Sequence, residues 1–309
     1  MKAVLLDADT LKPDELDLTG LTALPISLTQ YATTTADERI ARIKDAEIIL
    51  VNKVVLDAEV LAHASACKYI GVLATGTNNI DKAYCQKQGI HVANVEGYGT
   101  DAVAQHALML MLNLATSCPA YAADVDAGKW AAGPHFCLLD HPVMELAGKN
   151  LVIVGYGELG QRFAAMAKAL GMNVQVAARP GKSDDERPSL DALLPDADVV
   201  SLHCLLSEES KHLINAERLK AMKPTALLVN TARGALIDES ALLNALKNGE
   251  ILGAGLDGLS QEPPPADHPL LNTGLKNLLV TPHSAWVAKE ARQRLVNIAT
   301  GHLKAFLSA

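Results

Sequence analysis

Aromatic side chains are scarce in this 309-residue chain: Phe, Trp and Tyr together make up 4% of it, while apolar residues reach 49%. The core must therefore be filled by aliphatic side chains, and that much apolar material excludes disorder as a description of the whole. Cysteine is also sparse. Cys67, Cys85, Cys118, Cys137 and Cys204 are odd in number, widely spaced and never paired as CxxC. That pattern excludes a disulfide framework and points to reduced thiols in a reducing compartment. No histidine pair has helical or zinc-type spacing near a cysteine, so no metal site is predicted. Basic residues are in deficit, 27 Lys and Arg against 35 Asp and Glu for a net charge of −8. The deficit argues against nucleic acid or an anionic membrane as the main partner. Long hydrophobic runs are missing too. The most apolar stretch, residues 107–115, is far short of the ~20 residues of a membrane span. The opening run from Met1 to Leu6 stops at Asp7. It has neither the apolar length nor the small-residue cleavage site of a secretory signal, so the cytoplasm is the expected compartment. No repeat of solenoid period and no low-complexity tract occurs. At about 150 residues per domain the length suggests two domains.

Against these absences stand ten short aliphatic runs: residues 3–6, 48–51, 69–74, 91–95, 151–155, 174–178, 199–203, 226–230, 251–256 and 278–281. Most are continuously apolar rather than alternating, as strands covered on both faces of a parallel sheet are. Between them, residues 57–66, 159–170 and 240–248 carry apolar residues at helical spacing. Alternation of strand and helix predicts a doubly wound α/β fold. Two longer helices are predicted apart from this alternation. Residues 101–116 put Val103, Ala107, Leu110 and Leu114 on one face, and residues 287–307 carry Ala291, Leu295, Ile298, Leu303 and Phe306 as an interrupted stripe. Residues 118–149 have weak periodicity yet contain Trp130 and Phe136. Either a subunit contact or a surface loop anchored by its aromatics accounts for them.

Residues 151–160 read Leu-Val-Ile-Val-Gly-Tyr-Gly-Glu-Leu-Gly, an aliphatic strand running into G-x-G-x-x-G with a predicted helix behind it. A dinucleotide-binding turn requires that context. Gly155 allows the tight turn, Gly157 lets the backbone approach a pyrophosphate, and Gly160 lets helix and strand pack closely. The helix start offers N–H groups and a partial positive charge to the phosphates. An NAD site has Asp or Glu at the end of the next strand, bonding the ribose 2′-OH. Here that strand ends Ala177-Ala178-Arg179-Pro180. Arg179 can form a charge-assisted fork with a 2′-phosphate, no carboxylate stands in its place to repel it, and Lys182 and Ser183 can assist. NADP is therefore the expected preference over NAD. The alternative is an Arg179 that only stacks on the adenine, with NAD used as well.

Three polar residues fall where later strands should end: Arg233 after Asn230-Thr231-Ala232, Glu262 before Pro263, and His283 after Thr281-Pro282. Ligands of open parallel sheets bind beyond the carboxyl ends of the strands, and all three follow the glycine turn in the same half of the chain. Taken singly, Arg233 could be a surface ion-pair partner, Glu262 a plain loop acid and His283 a satisfied core histidine. Their order along the chain favours a site. His106, within a helical pattern, His203, ending a buried strand, and His135 and His141, in the weakly periodic stretch, take no role in this reading.

Several motifs in this order carry a resemblance over nearly the whole length. They are Gly76-Thr77-Asn78-Asn79-Ile80-Asp81, the turn Gly155–Gly160, Asn230-Thr231-Ala232-Arg233-Gly234, Leu256-Asp257 leading to Glu262-Pro263, and Thr281-Pro282-His283. On these the chain resembles the D-isomer-specific 2-hydroxyacid dehydrogenase family. Residues 92–181 and 281–286 look most like its glycerate dehydrogenase (hydroxypyruvate reductase) branch.

The resemblance implies two doubly wound parallel-sheet domains. A Rossmann-type dinucleotide-binding domain, residues 99–286, would be inserted into a flavodoxin-like substrate domain, residues 1–98 plus 287–309. It implies that His283 is the acid/base, that Glu262 orients its ring and favours its protonated form, and that Arg233 grips the substrate carboxylate and polarises the carbonyl. The backbone amides of Ala74, Thr75 and Gly76 would complete the carboxylate site. Lys53, next to Asn52 at another strand end, would add positive charge. Further cofactor contacts map to Glu158, Leu159, Cys204, Thr231, Asp257, facing the nicotinamide carboxamide, and Val103, for which core packing is an equal alternative. Leu205 stands where the family often has proline, which puts the contacts of that loop in question. The implied reaction is reversible reduction of a small 2-oxo acid, hydroxypyruvate or glyoxylate, to the D-2-hydroxy acid. Another 2-oxo acid, or a non-catalytic nucleotide-sensing protein of the same fold, are the competing readings. A homodimer is expected from the resemblance and from residues 118–149.

Overall fold

The aliphatic runs pair among themselves into two separate sheets. The computed structural model describes residues 1–309, and the chain forms two units, Met1–Gly99 with Val287–Ala309, and Thr100–Trp286.

In the first unit β1 (Lys2–Leu5), β2 (Ser27–Gln30), β3 (Ile48–Val51), β4 (Tyr69–Val72) and β5 (His91–Asn94) lie in the order β2-β1-β3-β4-β5. Every pairing is parallel. The central strands β3 and β4 are buried along their whole length, which is why their sequences are unbroken apolar runs. β2, Ser-Leu-Thr-Gln, is the strand that the apolar pattern does not signal. It lies at the sheet edge with mostly exposed side chains, and an edge strand needs pairing on one side only.

The chain order reverses at β1, and a buried carboxylate closes that point. Asp7 accepts the N–H groups of Asn52 (2.8 Å), Lys53 (2.6 Å) and Val54 (3.2 Å), which joins the end of β1 to the end of β3. Asn52 is buried, and its Nδ2 donates to Thr10 Oγ1 at 3.0 Å. It therefore builds this junction and does not accompany Lys53 as a group presented to a ligand. The Lys289–Ser308 helix buries Ala291, Leu295, Val296, Ala299 and Leu303 in the first unit, and Arg292 with them. The expected stripe included Ile298 and Phe306, which are half-buried. It did not anticipate a buried arginine, which is tolerated only with its N–H groups satisfied. Here they donate to Val287 O at 2.8 Å and Leu11 O at 2.7 Å and pair with Glu15. Hydrogen bonds from Arg292 and Lys12 hold the Glu15 carboxyl down at about 2.

In the second unit β6 (Asn150–Val154), β7 (Asn173–Val176), β8 (Val199–Leu202), β9 (Leu227–Asn230), β10 (Gly253–Asp257) and β11 (Leu278–Thr281) follow the order β11-β10-β9-β8-β6-β7, again all parallel. Successive residues face opposite cores. Leu151 and Ile153 pack with Phe163, Ala167 and Leu110, whereas Val152 and Val154 pack with Leu242, Leu246 and Leu228. The Thr100–Ala115 helix buries Ala104, Ala107, Leu110, Met111, Leu114 and Ala115. Val103 is half-buried, off the face predicted for it. Glycines let this helix lie against β10: a Cβ on Gly255 would stand 2.9 Å from Leu110 Cβ. Residues 118–149 contain the Cys118–Asp126 helix and one turn, Lys129–Ala132. Phe136 and Leu139 beyond them are 92% and 88% exposed. No helix is long and apolar enough to cross a membrane.

Replacing the buried acid at the first switch point tests this account. Asp7→Ala leaves the buried N–H of Asn52 and the part-buried N–H groups of Lys53 and Val54 without their acceptor and is expected to cost the first unit about 3 kcal/mol, read as a lowered urea midpoint at unchanged slope.

Candidate active site

The order of the second sheet reverses at β6, so the turn after β6 opens where ligands of such sheets bind. Its three glycines are needed for different reasons. Gly155 has φ +93°, and a Cβ there would stand 2.4 Å from Cys204 N and 2.5 Å from His203 C. Close approach to the loop after β8 therefore requires glycine. On Gly160 a Cβ would come within 2.1 Å of Gly155 O, so the helix could not start so near the turn. Gly157 differs. Its φ of −75° suits any residue, and no atom lies within 4 Å of where its Cβ would be. The protein itself has no need of glycine at 157. The open space at the uncapped start of the Glu158–Ala169 helix has the character of a phosphate cradle.

Other cofactor candidates lie on the same edge. Thr231 follows β9, and its Oγ1 is buried with no protein partner, a polar atom left for a ligand. Cys204 follows β8; burial pushes its thiol up to about 11, so its backbone and not its sulfur suits a ligand contact. Leu159 is half-buried in the first turn of the helix. Glu158 accepts from Thr100 Oγ1 at 2.6 Å, which ties the two helix starts together. The loop after Cys204 holds its shape without the family proline: Leu205 is 87% exposed, and its carbonyl accepts from Ser210 Oγ at 2.8 Å. The open cradle, the uncapped helix start and the orphaned hydroxyl together fit a dinucleotide.

The surroundings of Arg179 correct the sequence reading. A carboxylate does stand beside it: Asp185 Oδ2 accepts from Arg179 N at 3.0 Å and Nε at 3.2 Å, and Asp184 lies 3.9 Å from its Nη2. The chain folds back six residues after Arg179, which counting along a strand end cannot foresee. The same Asp185 accepts from Arg187 N and Nε and pairs with its Nη2. The hydrogen bonds of Arg187 first, and then those of Arg179, drive the Asp185 carboxyl far below the usual range. One carboxylate thus faces two guanidinium groups, and Arg187 is a cation that the sequence reading missed.

The catalytic candidates are set by β9, β10 and β11, which lie side by side in register. Arg233 is exposed just past β9. Its turn is built by Asn230, whose Oδ1 accepts from Ala232 N (3.0 Å) and whose Nδ2 donates to Arg233 O (2.8 Å). A Cβ on Gly234 would come within 2.1 Å of Leu259 C, so this glycine lets the Arg233 turn press against the loop that carries Glu262. That loop is held from below by Glu239, which accepts from Ser260 N at 2.8 Å and Ser260 Oγ at 2.6 Å. Glu262 Oε1 accepts from Leu259 N at 3.1 Å, and its Oε2 lies 2.6 Å from His283 Nδ1. With Nδ1 turned to the carboxylate, Nε2 is the ring nitrogen left for chemistry.

His283 has φ +52°, a conformation costing of order 1 kcal/mol for a residue with a Cβ. Its turn is fastened by Asp257, which is buried at the end of β10. Asp257 Oδ1 accepts from Thr281 Oγ1 (2.6 Å) and Ser284 N (2.8 Å), and Oδ2 from Ala285 N (2.8 Å). The resemblance gave Asp257 to the nicotinamide; the geometry gives it first to the histidine turn. In the first unit the loop after β4 leaves three successive N–H groups, of Ala74, Thr75 and Gly76, without a protein acceptor. The loop is held meanwhile by Thr75 Oγ1 donating to Val95 O at 2.8 Å and by Asn94 Nδ2 donating to Thr75 O at 2.8 Å. Lys53 is exposed after β3.

Comparison with known proteins places the chain in a family. Residues 108–285 match the family described as D-isomer specific 2-hydroxyacid dehydrogenase, NAD binding domain. The chain is 40% identical over 314 residues to a hydroxypyruvate reductase of Blautia hydrogenotrophica, with 99% of this chain and 97% of that one covered. It is 41% identical over 308 residues to a glycerate dehydrogenase of Methylorubrum extorquens, with 99% and 96% covered. An acyclic imino acid reductase solved in complex with NADPH and D-Arg is similar at a TM-score of 0.85 and 27% identity, with 100% of this chain and 97% of that one covered. Fold and site define an oxidoreductase that uses a nicotinamide dinucleotide, NAD or NADP. The chain belongs to the D-isomer-specific 2-hydroxyacid dehydrogenase family.

The two glycines separate structure from binding. Gly155→Ala is expected to destabilise the second unit by about 3 kcal/mol through backbone collision and positive φ. Gly157→Ala should leave stability within about 0.5 kcal/mol while raising the cofactor KM at least tenfold. Thermal melts and cofactor titration of both variants check this.

Proposed function

We propose that the chain reduces hydroxypyruvate, or the smaller glyoxylate, to D-glycerate or glycolate, reversibly and with NADPH preferred over NADH. The observation that carries the reading is the 2.6 Å bond between Glu262 and His283 at the carboxyl edge of the dinucleotide sheet, with the exposed Arg233 on the turn beside it. A bound reduced nicotinamide supplies a hydride from C4 to the carbonyl carbon. His283 Nε2 gives the proton that the carbonyl oxygen gains, and takes it back in the oxidative direction. Glu262 fixes the ring tautomer and stabilises the imidazolium form that donates. Arg233, planar and permanently charged, holds the substrate carboxylate and polarises the carbonyl. Gly155, Gly157, Glu158, Leu159, Gly160, Cys204, Thr231, Asp257 and Val103 form the cofactor set, with Arg179 and Arg187 for the 2′-phosphate. Two guanidinium groups stand there against the carboxylates of Asp185 and Asp184, so the reading rests on the fork geometry of the arginines toward a phosphate and not on an excess of positive charge. Lys53 and the unpaired amides of Ala74, Thr75 and Gly76 bind the substrate carboxylate, as consecutive backbone N–H groups do. The first unit is thus the substrate domain and the second the dinucleotide domain.

The protein works as a cytoplasmic homodimer in this reading. Five unpaired cysteines suit a reducing compartment, and the bare Phe136, Leu139 and Trp130 suit a partner copy.

Two measurements test the proposal. His283→Asn is expected to lower kcat on hydroxypyruvate about a thousandfold with cofactor binding intact; full turnover would remove the acid/base assignment. With wild-type protein, kcat/KM for NADPH should exceed that for NADH by about tenfold or more, since one charge-assisted contact contributes that much. Arg179→Ser should erase the difference, and an NADH preference in the wild type would refute the phosphate reading.

A further inference from the structure

Beneath the His283 turn lies a polar group that the mechanism above leaves idle. His106 sits in the Thr100–Ala115 helix, largely buried, with Nε2 2.9 Å from Thr281 Oγ1 and 3.5 Å from Asp257 Oδ1. Proton counting fixes the direction of these bonds. A threonine hydroxyl has one proton and an ionised carboxylate has none. The 2.6 Å separation of Thr281 Oγ1 from Asp257 Oδ1 is that of an O–H donating to a carboxylate. Thr281 Oγ1 also lies 3.2 Å from Leu256 O, a longer contact to an uncharged acceptor that shares the same proton; with that proton directed to acceptors, the contact with His106 is one Thr281 accepts, so His106 Nε2 carries hydrogen and donates.

The chain of bonds leads to the catalytic turn. Asp257, oriented by Thr281, holds the N–H groups of Ser284 and Ala285, the two residues that follow His283. The carbonyl of Thr281 accepts from His283 N at 2.9 Å and Gly258 N at 3.0 Å. Gly258 in turn faces Glu262: a Cβ on it would meet Glu262 Oε1 at 2.1 Å. Thr281 is therefore the point from which both members of the His283–Glu262 pair are located, and His106 is the side chain that orients its hydroxyl.

We propose that His106 is a positioning residue for His283, acting as a hydrogen-bond donor through Thr281 and Asp257 and touching neither substrate nor cofactor. The inference rests on the acid/base role of His283 proposed above. His106→Leu, similar in size but without a donor, is expected to lower kcat about tenfold, the lower end for a partner that orients an active group. Cofactor Kd, read by quenching of protein fluorescence, should stay within twofold. His106→Gln places an amide N–H near the old Nε2 and should recover most of the lost kcat. Thr281→Val, which keeps the shape and removes the hydroxyl, should match His106→Leu, and the double variant should lose no more than the worse single one.

The inference is overturned if His106→Leu folds and keeps wild-type kcat, if Gln rescues nothing, or if the two losses multiply. Should His106→Leu fail to fold, Thr281→Val carries the same test, and a wild-type kcat for it overturns the inference. His283→Asn run alongside separates the failures. Its inactivity with an unaffected His106→Leu sinks only this inference, whereas an active His283→Asn sinks the acid/base reading and this one with it.

Discussion

A buried carboxylate beyond one strand, accepting the backbone N–H groups of the next loop, is the constraint on which the candidate site depends. Asp257 does this for the turn that carries His283. Asp7 does it in the first unit, where the loop after β3 would otherwise bury its amides unpaired. Asp198 repeats the device at the opposite edge, accepting from Asn150 N at 2.9 Å and Lys223 Nζ at 2.9 Å. Burial pushes the Asp198 carboxyl up, but the Asn150 amide and the Lys223 cation outweigh it and leave it below its usual range. Carboxylates suit this work because two oxygens accept several donors without contributing a proton of their own. Parallel sheets need such fasteners. Consecutive strands are joined through long crossovers, so no tight turn fixes where one strand's loop meets the next.

The glycines divide the same labour between folding and binding. Gly155, Gly160, Gly234 and Gly258 are required because protein atoms already occupy the space of a side chain. Gly155 brings the turn after β6 against the loop after β8, and Gly234 the turn after β9 against the loop after β10, while Gly160 and Gly258 let a helix start and a carboxylate lie close within their own turns. Gly157 has empty space instead. A residue that nothing in the protein requires to be small, at the start of a helix, is evidence for a ligand of a kind that no conserved-looking motif provides alone.

Most of the fold was legible because its strands are buried on both faces and its core is aliphatic. Ten of the eleven strands coincide with apolar runs, and the exception, β2, lies on an exposed edge where the pattern has no physical cause. The placement of the candidates was legible where it depends on position after a strand, as with Arg233, Glu262 and His283, two of which the structure brings to 2.6 Å. It was illegible wherever the role depends on a side chain returning from elsewhere. Asp185 lies six residues beyond Arg179 yet bonds to it, Glu239 reaches across from its helix to hold Ser260, and His106 meets Thr281 from a residue 175 positions away. Arg292 was invisible for a related reason: its acceptors Leu11 and Glu15 lie at the other end of the chain. Asn52 misled because a polar residue at a strand end is as useful for closing a switch point as for holding a ligand.

Burial also sorts the titratable groups that crowd this sheet edge. His203 and His283 each end a strand in sequence, yet burial pushes His203 down to about 4 while His283 keeps a carboxylate partner and a solvent-facing flank. A histidine held so far below its unfolded value stays neutral at physiological pH. It becomes a liability only as pH falls from about 6.5 toward 4, because the unfolded chain then takes up the proton that the folded one refuses. Cys204, beside it, is pushed the other way, to about 11, and stays a thiol. Neither can exchange a proton with a substrate near neutrality. Of the three, only His283 pairs with a carboxylate and keeps a flank open to solvent. That difference follows from the Asp257 turn, which lifts His283 out of the strand into the left-handed region while His203 remains in the packed layer against Phe163.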